Sequence, residues 1–199
     1  GGPDPETVAS SALQSMRAQN RLVPFVARYV SVVSSRQERL GGLISNERTL
    51  ILPGDVRYEL DLAQLGPEDV QWDAGSNTLA VTLPEIEIAG PEVDLAAARE
   101  YGENGVLSVV TDTNQALDRN NRARAVADLR KQAASPVPMR LAREGGRQAV
   151  ERSFALPLQA AGFDNAKVVA RYPTEGSAVT EPLDHSRSYN DVVDEARSR

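Results

Sequence analysis

Near residue 111 the hydrophobic period of this chain changes from that of a strand to that of a helix, and its charge changes sign at nearly the same place. Residues 55–103 carry twelve Asp and Glu against only Arg57 and Arg99, whereas residues 117–152 carry nine Lys and Arg against Asp118, Asp128, Glu144 and Glu151. An acidic sheet followed by basic, alanine-rich helices is the architecture this implies. The constraint is on fold alone: no arrangement of residues specifies a reaction.

The local signals fill in that outline. Pro5 to about Gln19 reads as a helix, with Val8, Ala12, Leu13 and Met16 on one face and Pro at its first turn. Residues 21–37 read as a long strand rich in β-branched residues, in which Pro24 marks an edge position or a bulge. A second extended run, Ile44 to Leu52, is expected to break at the turn pair Pro53-Gly54. Val56, Tyr58, Leu60 and Leu62 then alternate with Arg57, Glu59 and Asp61, the pattern of a strand with one wet face. Val70 and Trp72, then Leu79, Val81 and Leu83, then Ile86 and Ile88, repeat it between turn residues, as in an antiparallel meander.

Beyond Thr111, the expected N-cap, Leu117, Val126 and Leu129 space one helix to about Ala134. A second helix follows Ser135-Pro136, with a stripe of Leu141, Ala142, Gly145, Ala149, Val150, Ser153, Phe154 and Leu158 whose small members allow close packing. Pro157 is expected to kink or shorten its end and Gly162 to close it. Lys167 to Tyr172 reads as a last strand.

Composition removes whole classes of function. No cysteine means no disulfide, thiol nucleophile or thiolate metal site, and the single His185 excludes any site needing two imidazoles. A net charge of −6 argues against general nucleic-acid affinity. The chain starts Gly-Gly-Pro without Met, which points to residues upstream, and its most apolar stretches, broken by Arg28, fall far short of the ~20 residues a membrane span needs.

Three stretches carry a family resemblance: Leu50-Ile51-Leu52-Pro53-Gly54-Asp55-Val56 leading to Leu60-Asp61-Leu62; the strand Leu79 to Ile86; and the helix–helix–strand ending at Ala161-Gly162-Phe163. Together they resemble the bacterial domain of unknown function 4230 family, over roughly residues 10–172. The resemblance implies one N-terminal membrane helix upstream of residue 1 and an α+β domain outside the cytoplasm. It implies no activity and no catalytic residues. Locally, Leu65-Gly66-Pro67-Glu68-Asp69-Val70 followed by Leu79 to Pro84 also resembles the strand pair of small heat-shock and p23-like domains.

Candidate sites are few. Glu85 and Glu87 have the spacing of an acid/base pair, and Asp55 and Asp61 of cation ligands, but carboxylates at i and i+2 also make an ordinary solvated strand face. His185, beside Asp184 in a polar tail, has no third partner. No calcium loop, phosphate loop, nucleophile elbow or zinc helix motif is present. Arg140, Arg143 and Arg147 recur at helical spacing and form the candidate contact surface, for anionic headgroups, a polyanion or an acidic partner.

The expectation is therefore an α+β fold: an antiparallel sheet of five to seven strands, an N-terminal helix and two C-terminal helices packed on it. Residues 1–20 follow a membrane anchor, 21–172 form a single domain and 173–199 a polar tail. The function expected is that of a non-catalytic, single-pass membrane-anchored module facing the periplasm or exterior. It binds a protein partner, or an amphiphilic ligand between helices and sheet, and uses no cofactor or metal. A small heat-shock-like chaperone module, or an enzyme using acidic cleft residues, is the alternative. Sheet acids and helix arginines are expected both to face solvent without pairing.

Overall fold

A computed structural model describes residues 2–102 and 112–175 of the chain. The order is α1 (Pro5–Gln19), β1 (Arg21–Arg39), β2 (Ile44–Asp61), β3 (Val70–Asp73), β4 (Thr78–Thr82), β5 (Glu87–Val93), β6 (Arg99–Tyr101), α2 (Asp112–Ala133), α3 (Pro136–Ala160) and β7 (Lys167–Arg171). This is the expected α+β fold, with an N-terminal helix and two C-terminal helices. Its seven strands divide between a four-stranded sheet, β1-β2-β5 with β6 also on β2, and a three-stranded sheet, β3-β4-β7. All pairings are antiparallel except β4 with β7, which the α2–α3 crossover makes parallel. Thr111, the side chain of Leu117, and the tail from residue 176, including His185, lie outside the described residues.

The β1–β2 hairpin is the spine of the molecule. Val56, Tyr58 and Leu60 are fully buried and Leu62 nearly so, while Arg57 is exposed, as alternation requires. On β1 the inward row is Phe25, Ala27 and Tyr29 and the outward row Val26, Arg28 and Val30. A register shift between Leu22 and Phe25 leaves Val23 exposed, so Pro24 lies at a bulge on an edge strand, the two places that accommodate a missing N–H.

Pro53-Gly54 does not end the strand as expected, for β2 runs straight through it. Pro53 turns its backbone toward β5, where its carbonyl accepts from Asp94 N, so no β1 ladder bond is lost. Gly54 faces α2: a Cβ there would lie 2.9 Å from Leu129 Cδ1. The dipeptide that reads as a turn is here a close approach of helix to strand.

One apolar cluster joins α1 (Ala9, Ala12, Leu13, Met16), β2, β4 (Leu79, Val81), β7 and the inner face of α3. A smaller one, Leu50, Leu52, Ala125 and Leu129, holds α2 to the hairpin. Burial of Leu129 and Phe154 places both helices inside the core, not outside a β-sandwich of the heat-shock kind. The buried row of α3 is Ala142, Gly146, Val150, Phe154 and Leu158. Leu141 and Ser153, expected in that row, are exposed. Pro157 sits inside the helix, which continues to Ala160, and Gly162 at φ +96° closes it.

Candidate functional site

The helix face that carries Arg140, Arg143 and Arg147 borders an open depression of about 430 Å³, lined also by Pro136, Glu144, Thr174 and Glu175. Helical spacing does put the three arginines together, but their chemistry differs sharply.

Arg147 is a structural residue. Its guanidinium donates to Ala170 O at 2.7 Å, to Glu144 at 3.1 Å and to both carboxylate oxygens of Glu175, and lies 5.5 Å from the Tyr172 ring centroid. The Glu175 hydrogen bond raises the Arg147 pKa, and in return holds the Glu175 carboxyl below its ordinary value. Residues 173–175, expected to begin the polar tail, are held to α3 through Glu175.

Arg143 is half committed. Its Nε lies 3.6 Å from Glu85 Oε2, too long for a hydrogen bond, and that buried N–H has no partner. The backbone of Arg143 accepts the Tyr172 hydroxyl at 2.7 Å. The expectation that sheet acids and helix arginines never pair is corrected here, because the segment between β4 and β5 brings Glu85 beneath α3.

Arg140 alone is exposed and, among the described residues, has no ion pair. Its neighbour at i−3 is Val137, which lies one turn from Leu141, and these two are 60% and 53% exposed. Beneath this face the seam is closed: a Cβ on Gly146 would lie 2.5 Å from the Tyr172 hydroxyl, and one on Gly145 3.1 Å from Pro24 O. Among the described residues, the seam at Gly145 and Gly146 leaves no room for an amphiphile between α3 and its neighbours.

A second surface was not read from sequence. An open cleft of about 450 Å³ lies between α1 and the β3–β4 hairpin, with Leu79 on its floor, Ala9 and Leu13 on one wall, Val70 and Trp72 on the other, and Glu6 beside them. Trp72 packs against the core, as its alternation with Val70 indicates, and also lines this cleft. Only the topology brings α1 to β3, so no local motif announces it.

The wet-face carboxylates gather around arginines and are neutralised there: Glu59, Asp61 and Glu87 at Arg21, with Glu87 at 2.6 Å, and Asp55 and Asp94 at Arg28, with Asp55 at 3.2 Å, while Glu85 accepts from Thr174 Oγ1 at 2.6 Å. Every described carboxylate with a displaced pKa is displaced downward: Asp4 by Thr7, Asp73 by Ser76, Asp94 by Arg28, Asp128 by Ser31 and Glu175 by Arg147. A general acid needs the opposite shift. Among the described residues no group of three His, Cys, Asp or Glu is placed to hold a metal ion. No helix among them is long and apolar enough to cross a membrane.

Fold and surface together define an α+β domain with a packed interior and charged, shallow depressions. The chain belongs to the DUF4230 family, described as a protein of unknown function, whose profile matches residues 14–168. That is the resemblance carried by the Leu50–Leu62, Leu79–Ile86 and Ala161–Phe163 stretches. No curated protein and no solved structure matches the chain.

Proposed function

We propose that the domain is a non-catalytic protein-binding module, held outside the cytoplasm by a single membrane helix upstream of residue 1, with the Val137–Arg140–Leu141 face of α3 as its contact surface. The observation that carries the reading is Arg140: an exposed arginine with no acid partner among the described residues, beside the exposed aliphatic pair Val137 and Leu141 on a helix whose other face is closely packed. Arginine with neighbouring apolar area is the composition of protein contact surfaces, since its planar charge is weakly hydrated and its stem covers apolar area. The closed seam under Gly146 favours a protein partner over an amphiphile between helix and sheet.

Two experiments test the two halves of this reading. A photo-crosslinking residue at Arg140 in the full-length gene product, expressed in its own cells, yields a discrete crosslinked species that the same group at exposed Arg152 does not. Equal crosslinking at both positions sinks the contact surface. These 199 residues contain no cysteine, so Gln159→Cys gives the domain a single label site. Reaction with a membrane-impermeant maleimide while the inner membrane is intact supports the location; protection until that membrane is opened overturns it.

A further inference from the structure

The cleft between α1 and the β3–β4 hairpin has an unusual charge composition. From Gly2 to Met16 and from Leu62 to Pro84, the two segments that build it, there is no Lys or Arg; the charges are Asp4, Glu6, Glu68, Asp69 and Asp73. Three of these are occupied locally, Asp4 by Thr7 N, Asp69 by Gly66 N and Asp73 by Gly75 N. Glu6, exposed on the cleft wall, and Glu68, next to the lining residue Pro67, carry no ion pair among the described residues. The cleft therefore mixes apolar side chains with the polar Ser10 and Gln71, and its margin is acidic.

The complementary surface is on the same chain. Val137 and Leu141 offer apolar side chains one turn apart, and Arg140, beside Val137 at i+3, offers an uncommitted cation. Within one copy both surfaces are open, so they do not meet each other. We propose that the partner for the α3 face is a second copy of this chain, with Val137 and Leu141 seated against Val70 and Trp72, the half-buried apolar side chains of the cleft, and Arg140 at Glu6. This rests on the assignment of that face as the contact surface. Two different patches meet, so the contact either forms twice in a two-fold dimer, each patch on the other, or repeats head to tail.

Analytical ultracentrifugation of the purified chain over a wide concentration range tests this. The expected result is concentration-dependent association beyond the monomer, weakened by salt because its charge contacts lie at the margin. Arg140→Glu and Glu6→Lys each weaken association by roughly five- to tenfold, since each replaces an attraction with a repulsion. The double variant, with both signs exchanged, associates again. Both positions are exposed, and unchanged unfolding curves show that the fold is retained. A chain that stays monomeric throughout overturns the proposal, as does association insensitive to Glu6→Lys. Either result, with position-specific crosslinking at Arg140 still present in cells, leaves the contact-surface reading standing with a different protein as partner. Loss of the crosslinking difference removes both.

Discussion

The hydroxyls of Tyr29 and Tyr58 lie 2.7 Å apart, and a third group sets the direction of the bond between them. Tyr58 donates its one proton to Ala133 O at 2.7 Å, so Tyr29 is the donor to Tyr58. Ala133 is the last residue of α2, where carbonyls lack partners within the helix, and Tyr58 is fully buried on β2. One phenol thus ties the end of α2 to both strands of the hairpin. Tyr58→Phe keeps the ring but orphans that carbonyl and removes the acceptor of Tyr29. Its expected cost is about 1–3 kcal/mol by urea unfolding, against under about 1 kcal/mol for Tyr29→Phe, whose site is partly open to water.

The same burial makes stability fall at high pH. Desolvation raises the pKa of Tyr58 and of Tyr172. In the unfolded chain both ionise near about pH 10, so above that the unfolded state binds fewer protons than the folded one. Their stabilising contribution is complete below about pH 10 and is lost progressively as pH rises toward their folded values. Unfolding free energies at a series of alkaline pH values should decline, and Tyr58→Phe should show a shallower decline than wild type.

Arg140 and Arg147 share a helix stripe, but their replacement has different consequences. Arg147→Gln strips partners from Glu175 and Ala170 O in a half-buried site, with an expected loss of about 2–4 kcal/mol. Arg140→Gln falls within about 0.5 kcal/mol of wild type, as for exposed positions generally. The pair also differs in acid. The Glu175 carboxyl is held low by Arg147, so it stabilises above the ordinary Glu value of about 4.3 and that contribution is lost as pH falls through the folded pKa. Acid unfolding should be less pH-dependent in Arg147→Gln and unchanged in Arg140→Gln.

What could be read from sequence was what repeats along the chain. The alternation from Val56 to Leu62 and the α1 stripe of Ala12, Leu13 and Met16 point to one face each, and burial follows them. The attachment of α2 was harder to see because half of it is polar. Asn121 is 1% exposed, accepts from Ser35 and donates to Arg48 O at 3.0 Å; Asp128 accepts from Ser31 at 2.6 Å. In sequence these look like a wet helix face, since a hydrogen bond between a strand serine and a helix carboxylamide leaves no periodic apolar mark. Leu141 misled for the converse reason: an apolar residue on a basic helix was counted into the core, whereas Gly146, with no side chain to signal burial, marks the true seam. The cleft at Trp72 depends on long-range placement of α1 against β3, which no local pattern encodes.

The 19-residue strand β1 is the edge of its sheet, and α2 guards part of that edge with side chains. Val30 pairs with Pro53, which has no N–H and turns its carbonyl to Asp94, so the backbone of Val30 faces the open edge. Its carbonyl accepts Gln132 Nε2 at 3.1 Å, and four residues on, Ser34 O accepts Arg124 Nη1 at 2.7 Å. Outward from this edge stand Val26, Val30 and Val32, 49–62% exposed. An edge with exposed valines and free carbonyls is a template for another strand, and side chains bonded across it remove that template. Arg124→Ala with Gln132→Ala returns both carbonyls to water, where they are readily hydrated, so the stability cost should be only about 1–2 kcal/mol. Strand addition at the edge should nevertheless increase, seen as faster growth of light scattering and thioflavin fluorescence than in wild type at equal concentration. A further Val30→Lys change on the exposed row should suppress that growth without restoring the hydrogen bonds. If the double variant aggregates no faster than wild type while losing the same stability, the two side chains serve only to fasten α2 and not to guard the edge.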